Sequence, residues 1–136
     1  MARFTLEIPG SPQKFELYHD DDKELLEYDD FLVIIQYEFY GRTIVSENKW
    51  QLSRGVCASF IAEMTNMCST KAGRAGLSSD DGDYIEMSFV DDLGHIKVVI
   101  EDGLIGYNGY VQVVWQIDQS YLPDLITQAE ALFRLK

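Results

Sequence analysis

Apolar and polar residues alternate along several stretches of the first half of the chain, and this alternation predicts β-strands. Two short stretches, 4–8 and 15–17, flank a Pro-Gly-Ser-Pro break at 9–12, which indicates a hairpin. A longer stretch, 31–40, carries an apolar residue at every second position from its start. A strand with sparse apolar residues, 43–52, is predicted to pair with it.

Two amphipathic helices are predicted at about 53–69 and 120–135. Ser53 and Ser120 stand at their starts, where a hydroxyl can accept a hydrogen bond from the first turn. Apolar residues recur at helical spacing behind each cap and define its buried face. These residues are Val56, Phe60, Met64, Met67 and Cys68 in the first helix, and Leu125, Ile126, Ala129, Leu132 and Phe133 in the second.

The segment between the helices is predicted to contain a loop and three strands. The loop, 70–83, is rich in Gly, Ser and Asp and lacks periodicity. The strands are expected at 85–89, 96–101 and 111–117, with a tight turn at 91–94. The order of elements and the hairpin-length connections indicate an α+β domain. Its mostly antiparallel sheet, or two-layer sandwich, would have about six to seven strands packed against the two helices.

The composition is that of one ordinary globular domain spanning 1–136, with 46% apolar and 25% charged residues. Eleven Lys and Arg against 23 Asp and Glu give a net charge of -12. Because phosphates are bound by clustered Lys and Arg, this balance disfavours a nucleic acid or an anionic membrane as partner. It is compatible with a basic partner.

The cysteines and the hydropathy indicate a cytoplasmic location. Cys57 and Cys68 lie eleven residues apart in one predicted helix. This spacing separates them by about 16 Å, beyond disulfide reach, so both are expected to be free thiols in a reducing compartment. The first residues show no apolar stretch typical of a signal peptide, and the run 31–37 is too short to cross a membrane.

No catalytic motif is visible in the sequence. The two histidines, His19 and His95, are expected on the surface, and neither a Gly-x-Ser-x-Gly elbow nor a P-loop occurs. The glycines at 103, 106 and 109 lead into a strand rather than opening a helix, which indicates a hairpin loop. The acidic runs 20–22 and 80–83 do not follow the calcium-loop pattern. We therefore expect no enzymatic activity, no metal and no cofactor.

The acidic and aromatic residues are the candidates for binding a partner. Like charges crowded in loops repel one another, and a basic surface would relieve that repulsion, although plain solvation explains them as well. Tyrosine is enriched where binding energy concentrates, whereas Trp50 and Tyr121 fit the ends of the core equally well. The candidate partner-binding residues are Asp20, Asp21, Asp22, Asp29, Asp30, Asp80, Asp81, Asp83, Tyr107 and Tyr110.

The second half of the chain resembles the WapI-type immunity proteins. The resemblance lies in the run 85–89, the turn and strand Asp-Asp-Leu-Gly-His-Ile-Lys-Val at 91–98, a strand ending in Trp115, and Asp-Gln-Ser-Tyr-Leu at 118–122 before an amphipathic helix. Such proteins are encoded beside bacterial polymorphic toxins and protect the producing cell. The resemblance implies a non-catalytic immunity-protein-like domain, which acts in interbacterial competition by neutralising a cognate toxin.

That toxin is expected to be a basic, nuclease-type domain, occluded by the acidic and aromatic surface, with the inhibitor a monomer or weak homodimer. Two alternatives stay open. One is an acidic adaptor or ligand-binding module of a larger assembly. The other is a small hydrolase using a pair of carboxylates, which the lack of an organised set of catalytic residues disfavours.

Overall fold

The computed structural model describes residues 2–19, 25–103 and 110–134, and it shows an α+β protein with two antiparallel four-stranded sheets. Sheet A has the strand order β1-β2-β3-β4 and sheet B the order β5-β6-β7-β8. The strands are β1 (Ala2–Glu7), β2 (Lys14–His19), β3 (Tyr28–Phe39), β4 (Arg42–Ser53), β5 (Arg74–Ser78), β6 (Tyr84–Phe89), β7 (His95–Gly103) and β8 (Tyr110–Asp118). The helices are α1 (Arg54–Thr70) and α2 (Leu122–Phe133). The predicted fold class is confirmed.

The eighth strand corrects the predicted count and the predicted loop at 70–83. β5 pairs with β6 in the register Ala75↔Met87 and Leu77↔Ile85, and its two apolar side chains are buried. Only two apolar residues stand in this five-residue strand, and so short an alternation does not stand out from a Gly- and Ser-rich loop.

The inner faces of both sheets and one face of each helix share a single hydrophobic core. Sheet A contributes Phe31 from β3, and the ring of Phe133 from α2 packs edge-to-face on it at 5.7 Å. Phe60 of α1 meets Phe4 of β1 in the same way at 5.9 Å. Both helices are thus anchored to sheet A by aromatic pairs, which adds specificity to the apolar burial.

Helix α1 begins as its sequence predicts. The Ser53 hydroxyl accepts a hydrogen bond from the Val56 amide at 3.1 Å. Cys57 and Cys68 are free thiols, and burial raises the pKa of Cys57 to about 12, so this thiol is unreactive at neutral pH. In the part of the chain that the structure describes, no helix is long and apolar enough to cross a membrane.

Helix α2 begins differently from the prediction. The Asp118 carboxylate, rather than the Ser120 hydroxyl, accepts from the backbone, taking the Ser120 N–H at 2.9 Å. A short 3-10 turn follows, and α2 starts only at Leu122 with no side-chain cap. Ser120 is therefore not the N-cap of α2, because the intervening turn separates it from the first helical residue.

A buried carboxyl group joins the two sheets. Asp102 of β7 is 1% exposed, and its Oδ1 accepts hydrogen bonds from Trp50 Nε1 at 3.0 Å and Asn48 Nδ2 at 2.7 Å, both on β4. The same Asn48 amide donates to the Gly103 carbonyl at 3.2 Å. Because buried polar groups are stable only when paired, this cluster fixes β4 of sheet A against the end of β7 in sheet B.

Replacing Asp102 tests how much this junction contributes to the free energy of unfolding. Asp102→Ala leaves the Trp50 N–H and the Asn48 amide buried without their acceptor, so we expect it to lower the free energy of unfolding by about 3 kcal/mol. Asp102→Asn keeps an acceptor oxygen at the same place and should cost clearly less. Urea unfolding followed by tryptophan fluorescence measures both, and equal losses for the two variants would contradict the assigned role.

Candidate functional site

The β3–β4 hairpin extends beyond the rest of sheet A. β3 and β4 have 12 residues each, whereas β1 and β2 have six. β2 pairs with β3 only as far as Lys14↔Gln36, so the last three residues of β3 bond to β4 alone. The hairpin closes through Tyr40 and Gly41, both at positive φ, as in a two-residue hairpin turn. We call residues 37–44 the overhang.

A groove of about 490 Å³ separates the overhang from β8. β8 contributes five consecutive residues to it, 110–114, and the overhang contributes four. The lining consists of Gln13, Tyr37, Glu38, Phe39, Ile44, Tyr110, Val111, Gln112, Val113 and Val114. The groove therefore lies between the two sheets, where one hairpin is longer than the strands beside it.

Two exposed aromatic residues, Phe39 and Tyr110, line the groove, and Tyr40 adjoins Phe39. Phe39 is 56%, Tyr40 92% and Tyr110 64% exposed, and the Phe39 and Tyr40 rings contact each other at 4.5 Å. Large aromatic side chains are normally buried. Those that are exposed beside a groove are typical of surfaces that bind other proteins.

An acidic cluster, Asp80, Asp81 and Asp83, lies in the β5–β6 turn, across β7 from the start of β8. Asp83, in the β5–β6 turn, accepts the Gly103 N–H at 2.7 Å, and Gly103 is the register partner of Tyr110. Partial burial raises the pKa of Asp83, and the nearby carboxylates of Asp102 and Asp81 raise it further, against the lowering effect of the Gly103 hydrogen bond. Burial is thus the main cause of the raised pKa, and the neighbouring carboxylates add to it.

The groove and the strand next to β8 also carry acidic residues. Glu38 is the one charged residue among the groove-lining residues that the structure describes. Glu101 of β7 accepts hydrogen bonds from Tyr84 at 2.7 Å and from Gln112 at 3.4 Å. Lys97 pairs with Gln116, outside the five β8 residues that line the groove. A basic partner would meet complementary charge here.

Some of the predicted partner-binding residues lie together at this site. Asp80 and Asp81 are exposed in the turn that holds Asp83, next to the strand pair that begins at Tyr110. Asp30 is exposed and pairs with Gln51, whose carbonyl accepts the Asp80 N–H at 3.1 Å, so it lies one strand away from that turn. Asp20, Asp21, Asp22 and Tyr107 lie outside the described residues.

Asp29 and His19 form a structural pair instead. His19 is 6% exposed, against the expectation of a surface residue, because its Nε2 lies 2.9 Å from Asp29 and its ring lies 4.8 Å from that of Phe31. Burial would raise the pKa of Asp29, but hydrogen bonds from His19 and from the Leu26 and Asp30 amides lower it overall. The Asp29 carboxylate thus makes its hydrogen bonds within the fold.

The described residues offer little for catalysis. His95 is half-buried and contacts Asp91 at 2.6 Å in the β6–β7 turn, at the other end of β6 from Asp83. Within the described ranges, no group of three or more His, Cys, Asp or Glu side chains could hold a metal ion. Trp50 belongs to the core, and Tyr121 is half-buried.

The overhang is not predictable from the alternation of apolar and polar residues. Alternation places Tyr37 and Phe39 on the same face as the buried Phe31, and it contains no information about where the neighbouring strand ends. The sequence does contain one relevant feature: the stretch 31–40 is longer than the stretches 4–8 and 15–17. Residues of a strand that extend beyond a shorter neighbouring strand are more exposed to solvent.

Comparison of the chain with protein-family models, curated proteins and solved structures finds no match.

Proposed function

We propose that this protein is a non-catalytic inhibitor that binds and neutralises a basic bacterial toxin domain, as an immunity protein does. The observation that carries the proposal is the groove between the overhang and β8. Exposed Phe39 and Tyr110 line it, Tyr40 adjoins Phe39, and the acidic cluster lies across β7 from Tyr110. Exposed aromatic anchors surrounded by charge of one sign are the physical means by which a small protein captures a partner of the opposite charge.

Electrostatics favour a partner that itself binds nucleic acid. Toxin domains with a nuclease activity need a basic cleft, because that cleft binds phosphates. The net charge of -12 attracts such a domain over a distance, and carboxylates placed where phosphates would lie occlude the cleft. These exposed aromatic residues then supply the desolvated contacts that hold the complex together.

The resemblance to WapI-type immunity proteins supports the same proposal. The segments that carry it form β6, β7, β8 and the start of α2, so they include the strand that lines the groove. An inhibitor of this kind needs a stable fold and a complementary surface, and it acts in the cytoplasm of the producing cell.

The direct test uses the toxin domain encoded by the adjacent reading frame. We expect the protein to bind it, and to restore growth of cells that express it. Tyr110→Ala should weaken binding by about 2 kcal/mol, roughly thirty-fold, mainly by faster dissociation, because it removes an exposed aromatic anchor from the groove. Surface plasmon resonance measures both rate constants.

Leu93→Ala is the matched control, because Leu93 is an exposed apolar residue in the β6–β7 turn, away from the groove. It should leave the affinity unchanged. If the wild-type protein neither binds nor neutralises the adjacent toxin, the proposed function is wrong. If Leu93→Ala weakens binding as much as Tyr110→Ala, the toxin docks elsewhere.

The acidic cluster should act on the association rate. Asp81→Asn removes one exposed charge of this cluster, and at low salt it should slow association by about twofold or more, an effect that disappears toward 1 M salt, where the Debye length falls to about 3 Å. Asp92→Asn removes the same charge in the turn at the other end of β6. It should change the rate less, and equal effects would show that only net charge matters.

A further inference from the structure

Two of the four sheet edges are covered by helices. A side chain of each helix accepts a hydrogen bond from an N–H group of the edge strand. The Thr5 N–H at the edge of β1 donates to Gln128 of α2 at 2.6 Å. The Gly76 N–H at the edge of β5 donates to Glu63 of α1 at 3.2 Å. An uncovered strand edge is a template for pairing with another chain, and natural proteins normally cover it.

The third edge is protected by a turn and by charge. The Gln51 carbonyl of β4 accepts the Asp80 N–H of the β5–β6 turn. The rest of β4 carries the exposed charged residues Arg42, Glu47 and Lys49. Charged side chains along an edge disfavour pairing with a further strand.

Among the described residues, nothing of either kind protects the fourth edge, β8. In the described part of the chain it bonds only to β7, and its stretch 110–117 contains no charged residue and no proline. This lack of charge stands out in a protein of which 25% of the residues are charged. The same strand borders the groove over 110–114.

The hydrogen-bond pattern shows which β8 amides are available. The Val90 N–H donates to the His95 carbonyl, so His95 directs its backbone groups toward β6. Backbone groups alternate in direction along a strand, and the next residue, Ile96, therefore bonds to its β8 partner Ile117. Continuing the alternation, the β8 residues whose N–H and C=O point to the free edge are Tyr110, Gln112, Val114 and Gln116.

We propose that the partner is captured by strand addition: an extended segment of the basic toxin pairs with the free edge of β8 across the groove. This inference rests on the proposed function and specifies its binding mode. Residues 110–114 span about 17 Å, the length of a short strand. Main-chain hydrogen bonds would supply affinity, and alternate side chains would supply specificity.

The two faces of the added strand would meet different chemistry. Side chains on the inner face enter the groove against Tyr37, Phe39 and Ile44, which favours apolar residues. Side chains on the outer face lie beside Gln112, which is hydrogen-bonded to Glu101, and this favours Lys or Arg. The best-fitting segment therefore alternates basic and apolar residues. A second copy of this acidic chain would lack that complementarity.

The first arm of the test changes one β8 residue and measures binding of the adjacent toxin. Val114→Pro removes an N–H that points to the free edge and leaves the β7 ladder intact, a position where proline is tolerated. It should weaken binding at least about tenfold, because a ladder hydrogen bond is lost and the ring obstructs the incoming strand. Val114→Thr keeps the N–H and the branched shape, and it should bind within about twofold of wild type.

The second arm leaves the protein unchanged and uses a synthetic probe. The probe is a capped seven-residue peptide of alternating lysine and valine, with nuclear magnetic resonance reporting saturable shifts at Gln112 and Val114. In antiparallel pairing the lysine amides face β8, so methylation of the lysine amides abolishes binding and methylation of the valine amides does not. Parallel pairing reverses the two results. Equal effects of both methylations, or no saturable binding up to about 1 mM, overturn strand addition.

The arms separate this inference from the proposed function. If the toxin binds wild type and Val114→Pro equally well, strand addition is wrong and the proposed function stands. If the toxin does not bind wild type at all, the proposed function fails and the peptide alone decides strand addition. If the protein sediments as a dimer that Val114→Pro dissociates, a second copy occupies the edge and the inference is overturned.

Discussion

The buried carboxyl group of Asp102 is the constraint that sets the geometry of the candidate site. It accepts from Trp50 and Asn48 of β4, and Asn48 also holds the Gly103 carbonyl. Sheet A is thereby fixed to sheet B at the residue that pairs with Tyr110, where β8 begins. The groove lies next to this junction, so its width depends on a set of hydrogen bonds that are costly to break in the interior.

Charge and apolar surface are distributed in complementary ways around that junction. Carboxylates occupy the β5–β6 turn, and Glu101 lies on β7, while the stretch 110–117 of β8 carries none. In the proposed complex, the surrounding carboxylates would attract the basic partner over a distance. The β8 edge itself carries no charge that would have to be desolvated. Helices protect the edges of β1 and β5, and a turn together with charged side chains protects the edge of β4.

Strict alternation predicted most of the fold, because it reports which face of a strand is buried. It identified β1, β3, β7 and β8, and helical spacing identified the buried face of α1. It could not identify β5, where two apolar residues stand among Gly and Ser, nor the position of the α2 start, which depends on an intervening 3-10 turn.

The candidate site was less predictable, because it depends on contacts between distant segments. The burial of His19 requires Asp29 and Phe31, and the exposure of Phe39 depends on where β2 ends. Tyr110 was predicted as a contact residue from its type and its place near a loop, and the structure places it on the groove. The groove itself arises from unequal strand lengths and from the register of two sheets, which no local pattern encodes.

Amide hydrogen exchange at single-residue resolution, with and without the adjacent toxin domain, tests the account most directly. In the free protein, the Val111 and Val113 amides should exchange slowly because they bond to β7, whereas those of Gln112 and Val114 should exchange fast. Addition of the toxin should slow exchange at Gln112 and Val114. Binding that leaves these two amides in fast exchange, and protects residues of another surface instead, would contradict the account.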